Sequence, residues 1–159
     1  IGFDIAGPEL NYLPSMYKDS FLKVKNEGIN ITIHAGEGDG VHSIQEALDN
    51  GAKRIGHGVR IIEDISDDNE LGPTADHILQ NNIPLEVCIT SNLHTNMYKN
   101  PQDHPISRLH NLGFNISLNT DNRLMSNTSI DNELNVAKAA GIENPTSLLK
   151  YSASDSFFN

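Results

Sequence analysis

Tryptophan is absent from the 159 residues, and cysteine occurs once, as Cys88. A single thiol excludes an internal disulfide framework and any zinc module built from several cysteines, and it fits a reducing, cytoplasmic setting. No apolar run approaches the roughly 18 residues that could span a bilayer, so no membrane protein is expected. Cations are scarce: 11 Lys and Arg stand against 21 Asp and Glu, a net charge of -10. That balance opposes binding to nucleic-acid phosphates or anionic lipid, which leaves neutral small molecules or other proteins as partners. The chain has no initiator Met and no cleavable signal pattern. It begins at Ile1 inside an apolar run, as expected of a piece of something longer. Its length holds one ordinary domain's core.

What is present is an alternation of apolar runs with helical patterns, which indicates α/β architecture with parallel strands. Strands are expected at residues 1–6, 29–35, around 54–56, 84–89 and 114–118. Helices fill the intervals. Tyr17, Phe21 and Val24 recur at i, i+4 and i+7 before a stop near Gly28, and Ile44, Ala47 and Leu48 share a face ahead of Gly51. Thr74 is the expected cap of a helix carrying Ile78 and Leu79. Pro105 suits the first position of one carrying Ile106, Leu109 and Leu112. Ile130, Leu134 and Ala137 mark a last long helix, with a restart at Pro145. Five strand-helix units match the length of an open doubly wound sheet; a (β/α)8 barrel takes about 250 residues, so it would be present only in part. Periodicity alone does not choose between the two.

Ionisable and polar residues collect at the carboxyl ends of these strands, where both parallel folds build their sites. His34 and Glu37 follow the second strand, His57 the third, Ser91 and Asn92 the fourth, Asp121 and Asn122 the fifth. In His34-Ala35-Gly36-Glu37 an imidazole and a carboxylate can face one space as metal ligand and proton donor. Gly56-His57-Gly58 either leaves the ring open to a ligand or marks a turn with unusual backbone angles. Asp121 is either exposed at the rim of a buried strand or caps the following helix. Gly36, Gly38 and Gly40 are spaced as in a phosphate-binding loop, but Glu37 and Asp39 between them would repel phosphate. Ser91 lacks the Gly-x-Ser-x-Gly surroundings of a nucleophilic serine. Cys88 reads as a small buried hydrophobe.

Taken in order, Phe3-Asp4-Ile5-Ala6-Gly7-Pro8-Glu9, His34-Ala35-Gly36-Glu37, Gly56-His57-Gly58, Glu86-Val87-Cys88 with Ser91-Asn92, and Ser117-Leu118-Asn119-Thr120-Asp121 resemble the zinc-dependent, barrel-type adenosine deaminases of the amidohydrolase superfamily. The resemblance covers residues 1–159 as one domain, the later part of that barrel. It implies a partial TIM (β/α)8 barrel holding strands 4 to 8 with their helices, strands 1 to 3 being absent. The implied reaction is hydrolytic deamination of adenosine to inosine and ammonia by a zinc-activated water. In that reading His34 and Asp121 bind the metal, and Glu37 protonates N1 of the purine. His57 orients the attacking hydroxide, and the Gly7 amide meets N3. Cytidine and tRNA deaminases reach similar chemistry through a His/Cys/Cys zinc site, which one cysteine excludes.

Two departures from the family pattern stand out. A second Asp and a Pro commonly follow Asn-Thr-Asp, and here Asn122 and Arg123 replace them. A neutral amide donates to N7 without a pKa shift, so adenosine or a related purine nucleoside remains the expected substrate. The family's His-x-His pair, which supplies two further zinc ligands from the first barrel strand, is not in this sequence. The segment alone is therefore expected to be inactive, with its site empty of metal, and to self-associate through open barrel edges. The competing readings are an adenine deaminase on the same scaffold, and a noncatalytic binding or structural remnant.

Overall fold

A computed structural model describes residues 2–149. Five parallel strands form one sheet: β1 (Gly2–Ile5), β2 (Asn30–Ala35), β3 (Ala52–His57), β4 (Leu85–Val87) and β5 (Ile116–Leu118), in the order β1-β2-β3-β4-β5. This order decides between the two architectures. A doubly wound sheet reverses at a switch point, whereas here every strand lies beside its predecessor, as in the singly wound barrel.

The α-helices are α1 (Lys18–Asn26), α2 (Val41–Asp49), α3 (Pro73–Gln80), α4 (Ile89–His94), α5 (Ile106–Asn111), α6 (Arg123–Ser126) and α7 (Ile130–Ala139). Short 3-10 turns occupy Pro14–Tyr17, Val59–Asp64, Pro101–Asp103 and Pro145–Leu149. No helix among the described residues is long and apolar enough to cross a membrane.

Register gives the sheet two unlike faces. Ile5, Ile33, Ile55, Leu85 and Ile116 are neighbours across the strands and join one core with Phe21 of α1, Ile44 and Ala47 of α2, Ile78 of α3, Leu109 of α5 and Ala137 of α7. Each such side chain removed from water stabilises the fold by about 1.5–3 kcal/mol. The alternate positions turn the other way and are polar. Asp4, Thr32 and Arg54 form one row, and His34, Gly56, Glu86 and Ser117 the next. Arg54 Nη1 donates to Glu86 Oε1 at 3.0 Å across this second face. A bulge between Ile31 and Thr32 shifts the pairing with β3 and keeps both alternations in phase.

Three sequence-based expectations need correction. Thr74 does not cap α3. Gly72 occupies that position, and the Asp64 carboxylate reaches in from the preceding turn to accept the Thr74 and Ala75 amides at 2.9 Å each. Pro105 sits at the cap position of α5, one residue before the helix. The fourth strand ends at Val87, and Ile89 opens a six-residue helix where a continued strand was expected.

Candidate active site at the carboxyl ends of the strands

His34 projects from the carboxyl end of β2 and Glu37 from the loop after it, and a carboxylate from the loop after β1 shapes that segment. Glu9 is buried, and its side chain accepts three successive backbone amides, from Gly36 (2.5 Å), Glu37 (2.9 Å) and Gly38 (2.6 Å). A second constraint comes from β3. Gly36 and Gly58 both have positive φ (74° and 66°), and a Cβ on Gly58 would sit 2.7 Å from Leu85 Cδ2. The Gly-His-Gly segment is therefore a tight turn with unusual backbone angles, the plainer of its two readings. It carries His57 at φ 64°, and Asp121 is likewise left-handed at φ 53°. Non-glycine residues are uncommon there.

These turns bring the chosen side chains together. Donor atoms of His34, Glu37 and His57 lie within 4.8 Å of one another, and the two imidazole rings meet edge to face at 4.7 Å. His34 Nε2 is 3.6 Å from Glu9 Oε2 and 3.9 Å from Glu37 Oε2. His57 Nδ1 is 3.4 Å from Glu37 Oε1, and its Nε2 is 3.9 Å from Asp121 Oδ2. Asp121 is oriented by Ser91, whose hydroxyl donates to Oδ2 at 2.7 Å. Asp121 is not the cap of α6. That role falls to Asn122, whose Oδ1 accepts the Leu124 and Met125 amides at 3.1 Å. Gly7 borders a pocket of about 390 Å3 with Tyr12, Tyr17, Ile33 and His34. A smaller one of about 180 Å3 lies between His34, His57 and Asp121 over the polar face of the sheet.

Burial sets the protonation states. It raises the Glu37 carboxyl above its ordinary range, against the opposing pull of the Asn92 hydrogen bond and His34. It lowers His57, with Asp121 and Glu9 opposing, and lowers His34 together with the neighbouring His57 ring. One carboxyl is thus biased toward its acid form and two imidazoles toward their neutral forms, the states needed for a proton donor and for nitrogen ligands.

Three participants owe their roles to the fold. Asn92, fully buried on α4, donates from Nδ2 to Glu37 Oε1 (2.7 Å) and lies 3.1 Å from His57 Nδ1. Glu9 and Asn92 both stand in quoted motifs, but nothing local assigns Glu9 to the loop after β2 or Asn92 to two strands at once. Glu133 on α7 is fully buried and accepts the Thr90 amide at 3.2 Å and the Thr128 hydroxyl at 2.8 Å. It thereby ties α4, with Ser91 and Asn92, to the segment after Asp121. The sequence offers no signal for Glu133 beyond an acidic residue in a helix's first turn.

Comparison with known proteins decides the family: the adenosine deaminase family profile matches residues 1–148. The chain belongs to the adenosine deaminase family. Among curated relatives, adenosine deaminase 1 of Streptomyces coelicolor is 47% identical over 138 residues, which are 84% of this chain and 35% of that protein. The adenosine deaminase of Mycolicibacterium vanbaalenii is 45% identical over 139 residues, 38% of its length. The chain thus spans little more than a third of these family members. Among solved structures, an adenine deaminase from Arthrobacter aurescens superposes with TM-score 0.86 at 24% identity, over 99% of this chain and 47% of that one. Its likeness shows the shared barrel-type fold. The family's metal dependence agrees with the His and Glu donors gathered here.

Proposed function

We propose that this chain is the strand 4 to strand 8 sector, a single domain fragment, of the (β/α)8 barrel of an adenosine deaminase that hydrolyses adenosine to inosine and ammonia. The observation that carries the reading is the convergence of His34, His57 and Asp121, from three different strand ends, on one small cavity, with Glu37 beside the two imidazoles. Support also comes from curated adenosine deaminases 42–47% identical over most of the chain.

The donor chemistry fits a zinc ion, since imidazole nitrogen and carboxylate oxygen are its common ligands outside cysteine sites. His34 and Asp121 would hold it, with two further histidines supplied from a strand outside these residues. A zinc ion held there would lower the pKa of water from about 15.7 to about 7 and so supply hydroxide at neutral pH.

Every remaining step belongs to the chain's own groups. Asn92 and His57 face Glu37 Oε1, and Oε2, 3.9 Å from His34 Nε2, is the oxygen placed to present the acid proton to N1 of the purine. Burial raises that carboxyl's pKa and so favours the acid form that a proton donor needs. Protonation at N1 drains electron density from C6 and opens it to attack. His57, neutral through burial, orients the attacking oxygen beside Asp121. The Gly7 amide meets N3 from the larger pocket, whose volume suits a purine nucleoside. With its Oδ1 held by α6, Asn122 has only Nδ2 to offer, a donor matched to N7. A cytoplasmic setting is consistent with the lone buried Cys88.

In isolation these residues lack two metal ligands, so turnover belongs to the longer polypeptide. Leu10, Tyr12 and Met16, each more than half exposed beside β1, would instead drive the segment to self-associate, and a clean monomer on size exclusion at micromolar concentration would count against this. The decisive experiment measures zinc content and ammonia release from adenosine and from free adenine with the full-length protein. Zinc-dependent turnover of adenosine supports the reading. Turnover of adenine alone, or of neither, overturns it.

A further inference from the structure

We infer that His104 is a positioning residue that fixes, through Asn92, which nitrogen of His57 carries the proton. The inference rests on the place given to His57 in the active site. His104 lies just before α5, in the segment following the turn Pro101–Asp103, and is buried.

The hydrogen-bond chain leading from it has a direction, and a backbone amide sets it. The Ile106 N–H points at His104 Nδ1 at 3.2 Å. An amide N–H can only donate, so Nδ1 accepts and the neutral ring bears its proton on Nε2. Nε2 lies 3.1 Å from Asn92 Oδ1, and the Nε2–H bond fixes which end of the Asn92 amide is oxygen. The opposite end, Nδ2, is then a donor with two protons. One goes to Glu37 Oε1 at 2.7 Å and the other to His57 Nδ1 at 3.1 Å. His57 Nδ1 is thereby an acceptor, and the proton of His57 resides on Nε2, which faces Asp121 and the cavity.

His104 remains neutral throughout, because burial and the nearby His57 ring push it down to about 3. The arrangement moves no charge; it removes a choice. Without a donor at position 104, a half-turn of the Asn92 amide would present Oδ1 to His57 and favour the opposite tautomer. With the donor in place, His57 enters the reaction offering a hydrogen bond from Nε2 to the attacking oxygen. Outer partners that orient imidazoles in this way are worth roughly 10- to 100-fold in activity at metal sites.

The test is a long-range proton–nitrogen correlation spectrum of histidine-labelled full-length protein, which reports the protonated nitrogen of each ring. The wild type should show His57 protonated on Nε2. In His104→Leu that single tautomer should be lost, with kcat for adenosine falling roughly 10- to 100-fold and KM changing little. Glutamine at 104 can donate to Asn92 and accept from Ile106, so His104→Gln should restore the Nε2–H form and recover most of the rate. Asn92→Asp replaces the donor by an acceptor and should move the His57 proton to Nδ1, which keeps the inference testable if the leucine variant fails to fold. An Nδ1–H signal in the wild type, or an unchanged Nε2–H signal in folded His104→Leu and Asn92→Asp, overturns it. A tautomer that switches with no change in kcat upholds the relay and instead removes His57 from the catalytic set.

Discussion

The two faces of the sheet are made from the same five strands and obey opposite rules. On the helix-covered face, Ile33, Ile55 and Leu85 are almost completely sealed from water, and any apolar side chain of similar shape would serve. On the other, Asp4, His34, Arg54 and Glu86 stand where a closed barrel commonly stacks branched apolar layers. Side chains there depend on a named partner at a named atom. One face supplies stability by area, the other supplies chemistry by direction, and substitutions should separate them cleanly.

The largest separation is expected at Glu37. Glu37→Gln keeps the side chain's shape and removes its proton, so kcat of the full-length enzyme should fall about 100- to 10,000-fold while the thermal midpoint holds or rises. A matching loss of thermal stability would show that Glu37 also serves the fold. Ile55→Ala should do the reverse, costing about 2–5 kcal/mol in denaturant unfolding while activity per folded molecule is retained. If activity fell with it, the two faces would not be independent.

Acid should find the boundary between the faces. His104 titrates near 6.5 when unfolded and at about 3 when folded, so the unfolded chain takes up the proton first. Its contribution is fully present above pH 6.5 and declines as pH falls toward 3, at up to about 1.4 kcal/mol per unit. Chemical denaturation across that window should show the slope, and His104→Gln should flatten it. The smallest effect is expected at Asn122. Asn122→Leu removes the cap of a four-residue helix, a loss of about 1 kcal/mol. It should also weaken kcat/KM for adenosine more than for 7-deazaadenosine, which lacks the N7 acceptor; equal losses would leave Asn122 with the cap alone.

The apolar face was legible in the sequence because it is written as runs: Ile29-Asn30-Ile31-Thr32-Ile33 reads as a strand without knowledge of its neighbours. The short helix α4 was not, since six residues contain too few turns to display a period. Nor was the cap of α3, because Asp64 lies ten residues from the Thr74 amide it accepts. Strand ends pointed to His34, Glu37, His57 and Asp121, and the fold brings them to one place. What stayed hidden was how the layer behind them, Asn92 among it, is bonded. Glu9, Asn92, His104 and Glu133 act across 27 to 55 residues of chain or through a side chain that itself bridges elements. Such bonds leave no local pattern, since their partners are fixed by topology rather than by spacing.

The left-handed backbone at His57 and Asp121 bears on how this protein would respond to selection. A side chain held in that region costs about 1–2 kcal/mol relative to glycine, so two of the residues to which we assign the proposed chemistry are ones that stability alone would not choose. A laboratory lineage screened only for survival at high temperature should drift toward glycine at both places, growing hardier as it forgets its reaction. Endurance and purpose are opposed at those two residues, and only a screen that demands both would keep the histidine and the aspartate.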